Sequence, residues 1–378
     1  MTQSSEERWL STTPDRISYL RADSTGWLLE QDNASVRYFA LRDLLECPPK
    51  DPEVLDAKLR IGASEQVTKI FLKQKPDGHW ERPEEPYQPK YKASYWQVML
   101  LGMLGLDKSD ERVRSAINHI FSFQHEEGGF AQYGAEGARA EYDYVSHRAS
   151  RYGKTILSFR PWAEKELHDS QMSCLTGNVS LALIRLGYSR DARLRKALNW
   201  LVKVQNLDGG WLCPYWGAHI HDKHGCFMGT ITPLHAFAEY PKKYRTPGMQ
   251  KAIETGVEFL LMHRLFKADN HGFKVIKPSW LTLSFPQFFY DILRALLVVT
   301  SLGYAADERI DDALKEILHR QNEKGRWAVE ATLAGRLQTT LEKQGRPSKW
   351  ITLDALRVIK NVVKERGQLN TGGGGSEP

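Results

Sequence analysis

A short motif, Gln-x3-Gly-x-Trp/Phe, recurs along this chain of 378 residues and limits the folds that it can adopt. Good copies begin at Gln74, Gln124, Gln205 and Gln321, and a degenerate copy ends at Phe273. The intervals between the good copies are 50, 81 and 116 residues, which fit one repeat, one repeat with an insertion, and two repeats of 58. A period of this size indicates a repeat fold, because each unit needs its neighbours to bury its apolar face.

Two kinds of helical segment alternate with the motif. Segments that end in a motif copy have apolar residues every three or four positions and charge elsewhere, which predicts outer helices wet on one side. Six other segments, among them SYWQVMLLGMLGL, are apolar on most sides and predict helices packed between an outer ring and a central cavity. We therefore predict an all-α fold, an (α/α)6 toroid. Five outer helices are clear, and the sixth is expected in Pro14–Ala22 or Leu333–Lys343.

The motif resembles the QW repeat of squalene cyclases and the Gly-Gly-Phe/Trp turns of protein prenyltransferase β subunits, over about residues 30 to 365. This resemblance to the prenyltransferase and terpene cyclase superfamily implies the toroid fold but no particular activity, because one fold hosts many chemistries. Squalene-type cyclases protonate their substrate with an Asp-x-Asp-Asp motif. The nearest counterpart here, Asp311-Asp312, lies in a predicted outer helix with a charged face, so it is interpreted as solvated surface.

Length and composition set the remaining limits. We expect one domain over residues 1–366 with an insertion at about 131–172, and a disordered Gly/Ser-rich tail at 367–378. The formal net charge of +6 is spread along the chain, which favours a small, possibly anionic substrate over nucleic acid. No apolar leader or bilayer-length apolar run is found, and four cysteines do not suggest a disulfide scaffold, so we predict a cytoplasmic protein. The sequence predicts no oligomeric state.

Three of the four cysteines are predicted to meet. Cys174 and Cys226 open two inner helices in the same register, and Cys213 lies in the loop between them. A helix N-terminus lowers the pKa of a thiol there, and thiolate with imidazole suits tetrahedral Zn²⁺. The predicted zinc ligands are Cys174, Cys213, Cys226 and His224, with His168 and His221 in reserve. Two alternatives stay open, buried inert thiols and a metal-free catalytic cysteine.

A local resemblance bears on the same site. The segment HGCF at residues 224–227 resembles Asp-Gly-Cys-Tyr at the head of an inner helix in protein prenyltransferase β subunits, where the Asp and Cys bind catalytic zinc. The resemblance gives Cys226 the cysteine's role and His224 the aspartate's. The family's third ligand is a His that opens a later inner helix, but FFY at 288–290 and SKW at 348–350 stand there. Cys174 or Cys213 would replace it, and the zinc would then be enclosed and structural.

The other candidate residues are polar or aromatic side chains at or near the openings of the inner helices, together with the histidines of the cysteine region. Lys, Arg and Tyr suit an anionic headgroup, and Trp suits an apolar cavity. The predicted substrate contacts are Arg37, Tyr91, Trp96, Lys349 and Trp350. The predicted acid/base residues are His221, His168 and Asp169.

Three functions fit these features. The favoured one is a zinc-dependent transferase or lyase that acts on a small or isoprenoid-like substrate in the cavity, with Zn²⁺ as Lewis acid. The second is a terpene-cyclase-like enzyme with a different acid, Asp169 or Asp291, and structural zinc. The third is a non-catalytic toroid that binds a hydrophobic ligand. A metal with an open coordination position would favour the first function.

Overall fold

The computed structural model describes residues 19–219 and 221–372, and this part of the chain is mostly helical. The α-helices, in chain order, are α1 (Thr25–Leu28), α2 (Ala34–Phe39), α3 (Pro52–Gly62), α4 (Glu65–Phe71), α5 (Ser94–Leu104), α6 (Glu111–Phe121), α7 (Ala135–Arg151), α8 (Phe159–Asp169), α9 (Ser173–Arg185), α10 (Ala192–Lys203), α11 (Phe227–Glu239), α12 (Pro247–Met262), α13 (Ile292–Ser301), α14 (Asp311–His319) and α15 (Lys349–Gly372). A π-helical turn at Ala40–Leu44 extends α2.

Short elements join these helices. The 3-10 turns lie at Gly217–His219, Lys242–Tyr244, Asp269–His271, Pro278–Leu281 and Glu308–Ile310. The strands β1 (Lys267–Ala268) and β2 (Lys274–Val275) pair antiparallel, and β3 (Ser284–Phe285) and β4 (Ala331–Thr332) pair parallel. None of the described helices is both long enough and apolar enough to cross a membrane.

The described residues form two compact units. The first unit takes in the described residues up to Val67, Leu260–Ala334, and the described residues from Thr340 onward. The second unit takes in Thr68–Phe259 and Gly335–Thr339. The three cysteines of the predicted zinc site all belong to the second unit.

Inner and outer helices differ in how much of their surface is buried. Every residue of the inner helix α5 is buried, and α9 and α13 are buried along most of their length. The outer helix α6 buries one stripe only, made of Val113, Ala116, Ile117, Ile120 and Phe121. Each of the six predicted inner segments and five predicted outer segments contains a helix. The predicted all-α fold with alternating inner and outer helices is therefore confirmed.

The aromatic residue of the motif anchors the outer helix that precedes it. The indole N–H groups of Trp80, Trp211 and Trp327 each donate to the backbone carbonyl ten residues earlier, at 2.8, 2.7 and 2.7 Å. All three rings are fully buried. A buried indole needs such a partner for its N–H, and the carbonyls at a helix end lack one within the helix. One hydrogen bond thus gives a partner both to the buried indole N–H and to a carbonyl at the end of the outer helix.

The glutamine of the motif ties one repeat to the next. The amide of Gln124 donates to Gly128 O within its own turn and to Arg193 O at the start of α10, both at 2.9 Å. The amide of Gln205 likewise donates to Gly209 O in its own turn at 2.7 Å and to Ala252 O of α12 at 2.9 Å. The role of these glutamines is therefore structural.

The motif makes a third contact, with a residue that lies outside it in the chain. The backbone N–H of each motif aromatic donates to a hydroxyl in the first turn of the inner helix that follows. These hydroxyls belong to Ser94, Thr176, Thr230 and Thr352, at 2.9 to 3.1 Å. The repeat therefore fixes the outer helix, the turn and the inner helix as one unit.

Two boundaries differ from the sequence prediction. Leu333–Lys343 contains no helix, and Gly335 within it adopts a left-handed φ of 75°. The other candidate for a sixth outer helix, Pro14–Ala22, lies mostly outside the described residues. The helix α15 ends at Gly372, so residues 367–372 of the predicted tail are helical. Extending an existing helix by one residue costs less free energy than nucleating a new one. Residues 373–378 lie outside the described part.

Candidate functional site

The loop cysteine Cys213 meets Cys174 in the first turn of α9. Their sulfur atoms lie 3.8 Å apart, and the sulfur of Cys213 also lies 3.9 Å from Ser173 Oγ. The Ser173 hydroxyl donates to Leu212 O at 2.7 Å, which ties the loop to the helix. Cys226 is the N-cap residue of the neighbouring inner helix α11. Two of the three predicted thiols are therefore in contact, and the third stands at the next helix head.

The two thiols in contact have pKa values shifted in opposite directions. Their mutual hydrogen bond, together with burial, raises the pKa of Cys174 well above its usual value. The same hydrogen bond lowers the pKa of Cys213 to about 7 although burial opposes this. The lowered pKa predicted for Cys174 from its helix N-terminus is wrong, because the contact with Cys213 and burial both favour its neutral thiol. Of the two thiols, Cys213 is therefore the one that loses its proton more readily.

The contact between Cys174 and Cys213 matches one edge of a zinc site. Two sulfurs of a tetrahedral site with Zn–S near 2.3 Å lie about 3.8 Å apart. Across residues 19–219 and 221–372, however, no group of three or more His, Cys, Asp or Glu side chains is placed to hold a metal ion. The exposed His224 donates from Nδ1 to Gly225 O at 2.9 Å, and its ring lies 5.1 Å from that of Phe259. The zinc site stays a prediction.

The predicted acid/base histidines lie in different surroundings. His168 is half-buried, with Nδ1 at 2.8 Å from Asp169 and Nε2 at 3.4 Å from Glu127. Its ring lies 4.1 Å from that of Tyr215, whose hydroxyl donates to Glu127 at 3.0 Å. His221 is exposed. Carboxylates thus flank both ring nitrogens of His168, which suits a structural role as well as a catalytic one.

Asp169 is ionised at neutral pH. Its partial burial would raise the pKa, but Lys165 and His168 outweigh burial and hold the pKa below the usual value. Lys165 pairs with it across one helical turn. An acid that must donate a proton needs the opposite shift, so Asp169 is poorly suited to begin a reaction by protonation.

Two predicted substrate contacts, Tyr91 and Trp96, belong to an aromatic cluster in the second unit. Their ring centroids lie 4.9 Å apart, and Tyr87 lies 5.3 Å from Trp96. The indole of Trp96 donates to Tyr87 O at 2.8 Å. Burial raises the pKa of Tyr87, and the nearby thiols Cys174 and Cys213 add to that shift. Tyr87 thus connects the aromatic cluster to the cysteine pair.

The other predicted substrate contacts lie in the first unit. Arg37 pairs with Glu53 at 3.2 Å, and Lys349 pairs with Glu30 at 2.8 Å and also with Asp32. These carboxylates already neutralise the two cations, which weakens their predicted role in holding an anionic group. Trp350 is almost fully buried and stacks on Phe285, with ring centroids 4.6 Å apart.

A buried carboxyl group stands at the head of the inner helix α13. Asp291 is the N-cap residue and is only 2% exposed. Its Oδ1 accepts from Arg294 N at 2.8 Å and its Oδ2 accepts from Ser284 Oγ at 3.2 Å. Burial nevertheless raises its pKa to about 6, and the carboxylate of Asp354 adds to the effect. Asp291 therefore holds its proton more firmly than an exposed aspartate does.

The neighbouring carboxylates are paired with arginine. Arg357 donates to Asp354 at 2.7 Å and also pairs with Asp43. Burial would raise the pKa of Asp43, but Arg357 and Arg42 outweigh it and hold that pKa below the usual value. The first unit thus holds a buried carboxyl group, Asp291, and a partly buried one, Asp43, whose pKa values are shifted in opposite directions, as in a pair made of a proton donor and a charge-stabilising anion.

Aromatic residues adjoin Asp291 and its partner Ser284 in the chain. Phe285 follows Ser284 directly and stacks on Trp350, and Phe39 lies 6.1 Å from the same ring. Tyr290 precedes Asp291 directly, and its ring lies 4.9 Å from that of Trp280. The faces of such rings attract positive charge.

Sequence reasoning considered Asp291 only as an alternative acid and did not single out Tyr87 or Asp354. The pattern Asp-x-x-Arg before an apolar helix is a signal for an N-cap aspartate, but it does not show that the cap is buried. No signal in the sequence marks Tyr87. The interpretation of Asp311-Asp312 as surface is consistent with the structure, where Asp312 pairs with Lys267 at 2.6 Å and Arg264 at 3.2 Å.

No protein-family model matches the chain. A terpene cyclase/mutase of Arthrinium sp is 24% identical over 266 residues, which cover 64% of this chain and 33% of the relative. The chain thus spans about a third of the length of that curated relative.

Two solved structures cover most of the chain at low identity. The type II terpene cyclase MstE from Scytonema, in complex with merosterolic acid A, is 16% identical with a TM-score of 0.44, and the match covers 96% of this chain and 99% of MstE. A protein from Actinoplanes is 13% identical with a TM-score of 0.43, over 95% of this chain and 100% of that one. At this level the solved structures say nothing about substrate or mechanism. In sequence, the chain resembles terpene cyclases, as its QW-type repeats predict.

Proposed function

We propose that this protein cyclises or isomerises a linear isoprenoid and that the carboxylic acid of Asp291 starts the reaction by protonation. The observation that carries the proposal is a fully buried aspartate at an inner-helix head with its pKa raised to about 6. The QW-type repeats and the terpene cyclase/mutase relative support an isoprenoid substrate.

The proposed step balances without a co-reactant. The O–H of Asp291 donates its proton to a carbon–carbon double bond, and the neighbouring carbon becomes a cation. Attack by a second double bond closes a ring, and loss of a proton from carbon gives a cyclic isomer of the substrate. The ionised Asp291 keeps the hydrogen bonds from Arg294 N and Ser284 Oγ until it takes a proton back.

Aromatic residues of the first unit suit the cationic stage. Phe39, Phe285 and Trp350 form a chain of ring contacts, and each is no more than 9% exposed. A ring face stabilises a nearby cation by about 0.5 to 2 kcal/mol when water is excluded. Trp350, which the sequence predicted as a substrate contact, would then contact the apolar, cationic part of the substrate.

Solvent deuterium tests the proposed step. The purified protein is incubated in D₂O at about pH 5.5, below the pKa of Asp291, with farnesyl, geranylgeranyl and squalene-type linear isoprenoids. We expect a cyclic product that carries one deuterium per initiation, because the donated proton exchanges with solvent between turnovers. A product without deuterium, or released diphosphate, would point to initiation by ionisation of a leaving group and would contradict the role of Asp291.

A zinc-dependent transferase or lyase remains a second candidate, and the 3.8 Å contact between Cys174 and Cys213 favours it. Cys226 and His224 would complete the ligand set after a shift of their side chains. A bound zinc ion with an open position would supply Lewis-acid activation of a substrate oxygen or thiol. The lowered pKa of Cys213 supports this candidate, because ligand thiols must lose their proton when they bind a metal.

Metal content tests this second candidate. Protein from zinc-supplemented growth should contain about one zinc per chain by elemental mass spectrometry, since one set of three thiols is present. Cys226→Ser should lose both zinc and activity. Cys47→Ser, a buried cysteine of the first unit, is the matched control and should keep both. Equal metal content in the two variants would contradict the site.

A further inference from the structure

The contact between Cys174 and Cys213 joins two parts of the second unit that are distant in sequence. Both residues are free thiols, their sulfur atoms lie 3.8 Å apart, and they are 39 positions apart in the chain. The chain between them contains most of the inner helix α9, all of the outer helix α10 and the motif copy at residues 205–211. A covalent bond between the two sulfurs would therefore close one helix pair into a ring.

The surroundings of these sulfurs complete a pair and not a larger group. A metal site needs three or four ligands, and no such group is formed in the part of the chain that the structure describes. A disulfide needs two sulfurs only. The other two cysteines stand apart from the contact, since Cys226 is the N-cap residue of α11 and Cys47 belongs to the first unit.

The backbone holds the two cysteines side by side. The residues directly before them are joined, because the hydroxyl of Ser173 donates to Leu212 O at 2.7 Å. A disulfide has an S–S length of about 2.0 Å, so the two sulfurs must approach each other by about 1.8 Å. Rotation about the Cα–Cβ bonds can supply a movement of this size. Cys174 is partly exposed, which gives a small oxidant access to the pair.

We propose that Cys174 and Cys213 form a reversible disulfide and that a hydroperoxide is the oxidant. One sulfur attacks a peroxide oxygen and becomes a sulfenic acid, the O–O bond breaks, and the other oxygen leaves with the thiol proton as water or an alcohol. The second sulfur attacks the first, the S–S bond forms, the S–O bond breaks, and water leaves with the second proton. Two thiols are thus oxidised and one hydroperoxide is reduced. A dithiol reductant reverses the reaction by exchange.

The disulfide should stabilise the repeat that it closes. A crosslink restricts the unfolded chain more than the folded one, because the two sulfurs are already neighbours in the folded state. The oxidised protein should therefore have a higher midpoint in urea denaturation than the reduced protein. This effect requires neither the proposed reaction at Asp291 nor a bound metal ion.

Peptide mapping of the full chain tests the disulfide directly. Trypsin places the three neighbouring cysteines in separate peptides, at residues 166–185, 204–223 and 224–242. The protein is treated with hydrogen peroxide, its remaining thiols are blocked, and it is digested without reductant. We expect peptides 166–185 and 204–223 to be linked. Titration of the denatured protein should show a fall from four free thiols per chain to two, and dithiothreitol should restore the lost pair.

Serine variants separate this pair from the other thiols. Cys174→Ser and Cys213→Ser should each abolish the linked peptides and the rise in the urea midpoint. Cys226→Ser is the matched control at the neighbouring helix head, and it should keep both the linked peptides and the rise. Circular dichroism of each variant under reducing conditions shows whether the fold is kept.

Comparison with chelator-treated protein distinguishes the disulfide from the zinc site. We expect the same linked peptides with and without chelator. A disulfide that forms only after a chelator has removed bound metal would identify the two cysteines as metal ligands and overturn the proposal. Four free thiols after peroxide treatment, or a link between peptides 166–185 and 224–242, would also overturn it. An inactive protein that still forms the disulfide would contradict the proposed reaction at Asp291 and leave this inference standing.

Discussion

Replacing Asp291 with asparagine should lower turnover of the isoprenoid substrate about 1,000-fold, within the range that a general acid contributes. Asparagine has nearly the shape of aspartate and serves equally well as an N-cap residue, so α13 should keep its first turn. The substitution removes the only proton that the proposed step uses. In the wild-type protein, activity should fall as the pH rises above about 6, because Asp291 then ionises.

The same variant should be more stable relative to the wild type at high pH than at low pH. The folded-state pKa of Asp291 is raised from 3.8 to about 6, so the folded protein binds this proton more tightly than the unfolded chain. As the pH rises from about 4 to 6, the unfolded chain ionises first and the wild type loses stability, by up to about 3 kcal/mol. The asparagine side chain does not titrate, so the variant escapes that loss.

Asp191→Asn is the matched control for this experiment. Asp191 is also an N-cap residue, on the outer helix α10, and accepts from Arg193 N at 2.8 Å. Hydrogen bonds from Arg193 lower its pKa, so its contribution to stability is lost on acidification instead. Melting temperatures between pH 4 and 8 should therefore rise relative to the wild type for Asp291→Asn and not for Asp191→Asn. If both variants keep full activity, Asp291 is a structural cap and the proposed acid is wrong.

The sequence predicted the fold because each level of the repeat is encoded locally. Amphipathic periodicity marked the outer helices, apolar segments marked the inner ones, and the Gln-x3-Gly-x-Trp/Phe motif marked the turns between them. The structure shows why the motif recurs, since Gln124 and Gln205 each bridge to the next outer helix. The loop position of Cys213 between the two inner helices also led us to expect it near Cys174, and their sulfur atoms lie 3.8 Å apart.

The site was less predictable because it depends on burial and on side-chain direction. A helix N-terminus alone lowers a thiol pKa, but the neighbouring Cys213 reverses the shift for Cys174. An N-cap aspartate is recognisable in sequence, yet only the packed structure shows Asp291 buried and Asp191 near the surface. His224 follows the prenyltransferase pattern in sequence, but its Nδ1 is engaged with Gly225 O. These outcomes depend on tertiary contacts that no local pattern records.

Replacing Trp211 with alanine should lower the free energy of unfolding by about 4 kcal/mol, the usual range for a buried Trp. The ring is fully buried, and its indole donates to Leu201 O at 2.7 Å. Gly256 of α12 lies so close that a β-carbon there would be 2.7 Å from the ring, so the helix has no side chain with which to fill the cavity. The loss should appear as a lower midpoint in urea denaturation.

Two control variants separate the contribution of side-chain burial from that of the indole hydrogen bond. Trp216→Ala removes the same side chain from a site that is 55% exposed, and should change the free energy of unfolding by less than about 1 kcal/mol. Trp211→Phe keeps a large ring but loses the indole donor, and should cost about 1 to 2 kcal/mol because Leu201 O then lacks its partner. Trp211→Phe should also keep its activity, since the motif anchors helices and does not touch the reacting atoms. Lost activity in a stably folded Trp211→Phe protein would mean that the repeat motif takes part in the chemistry.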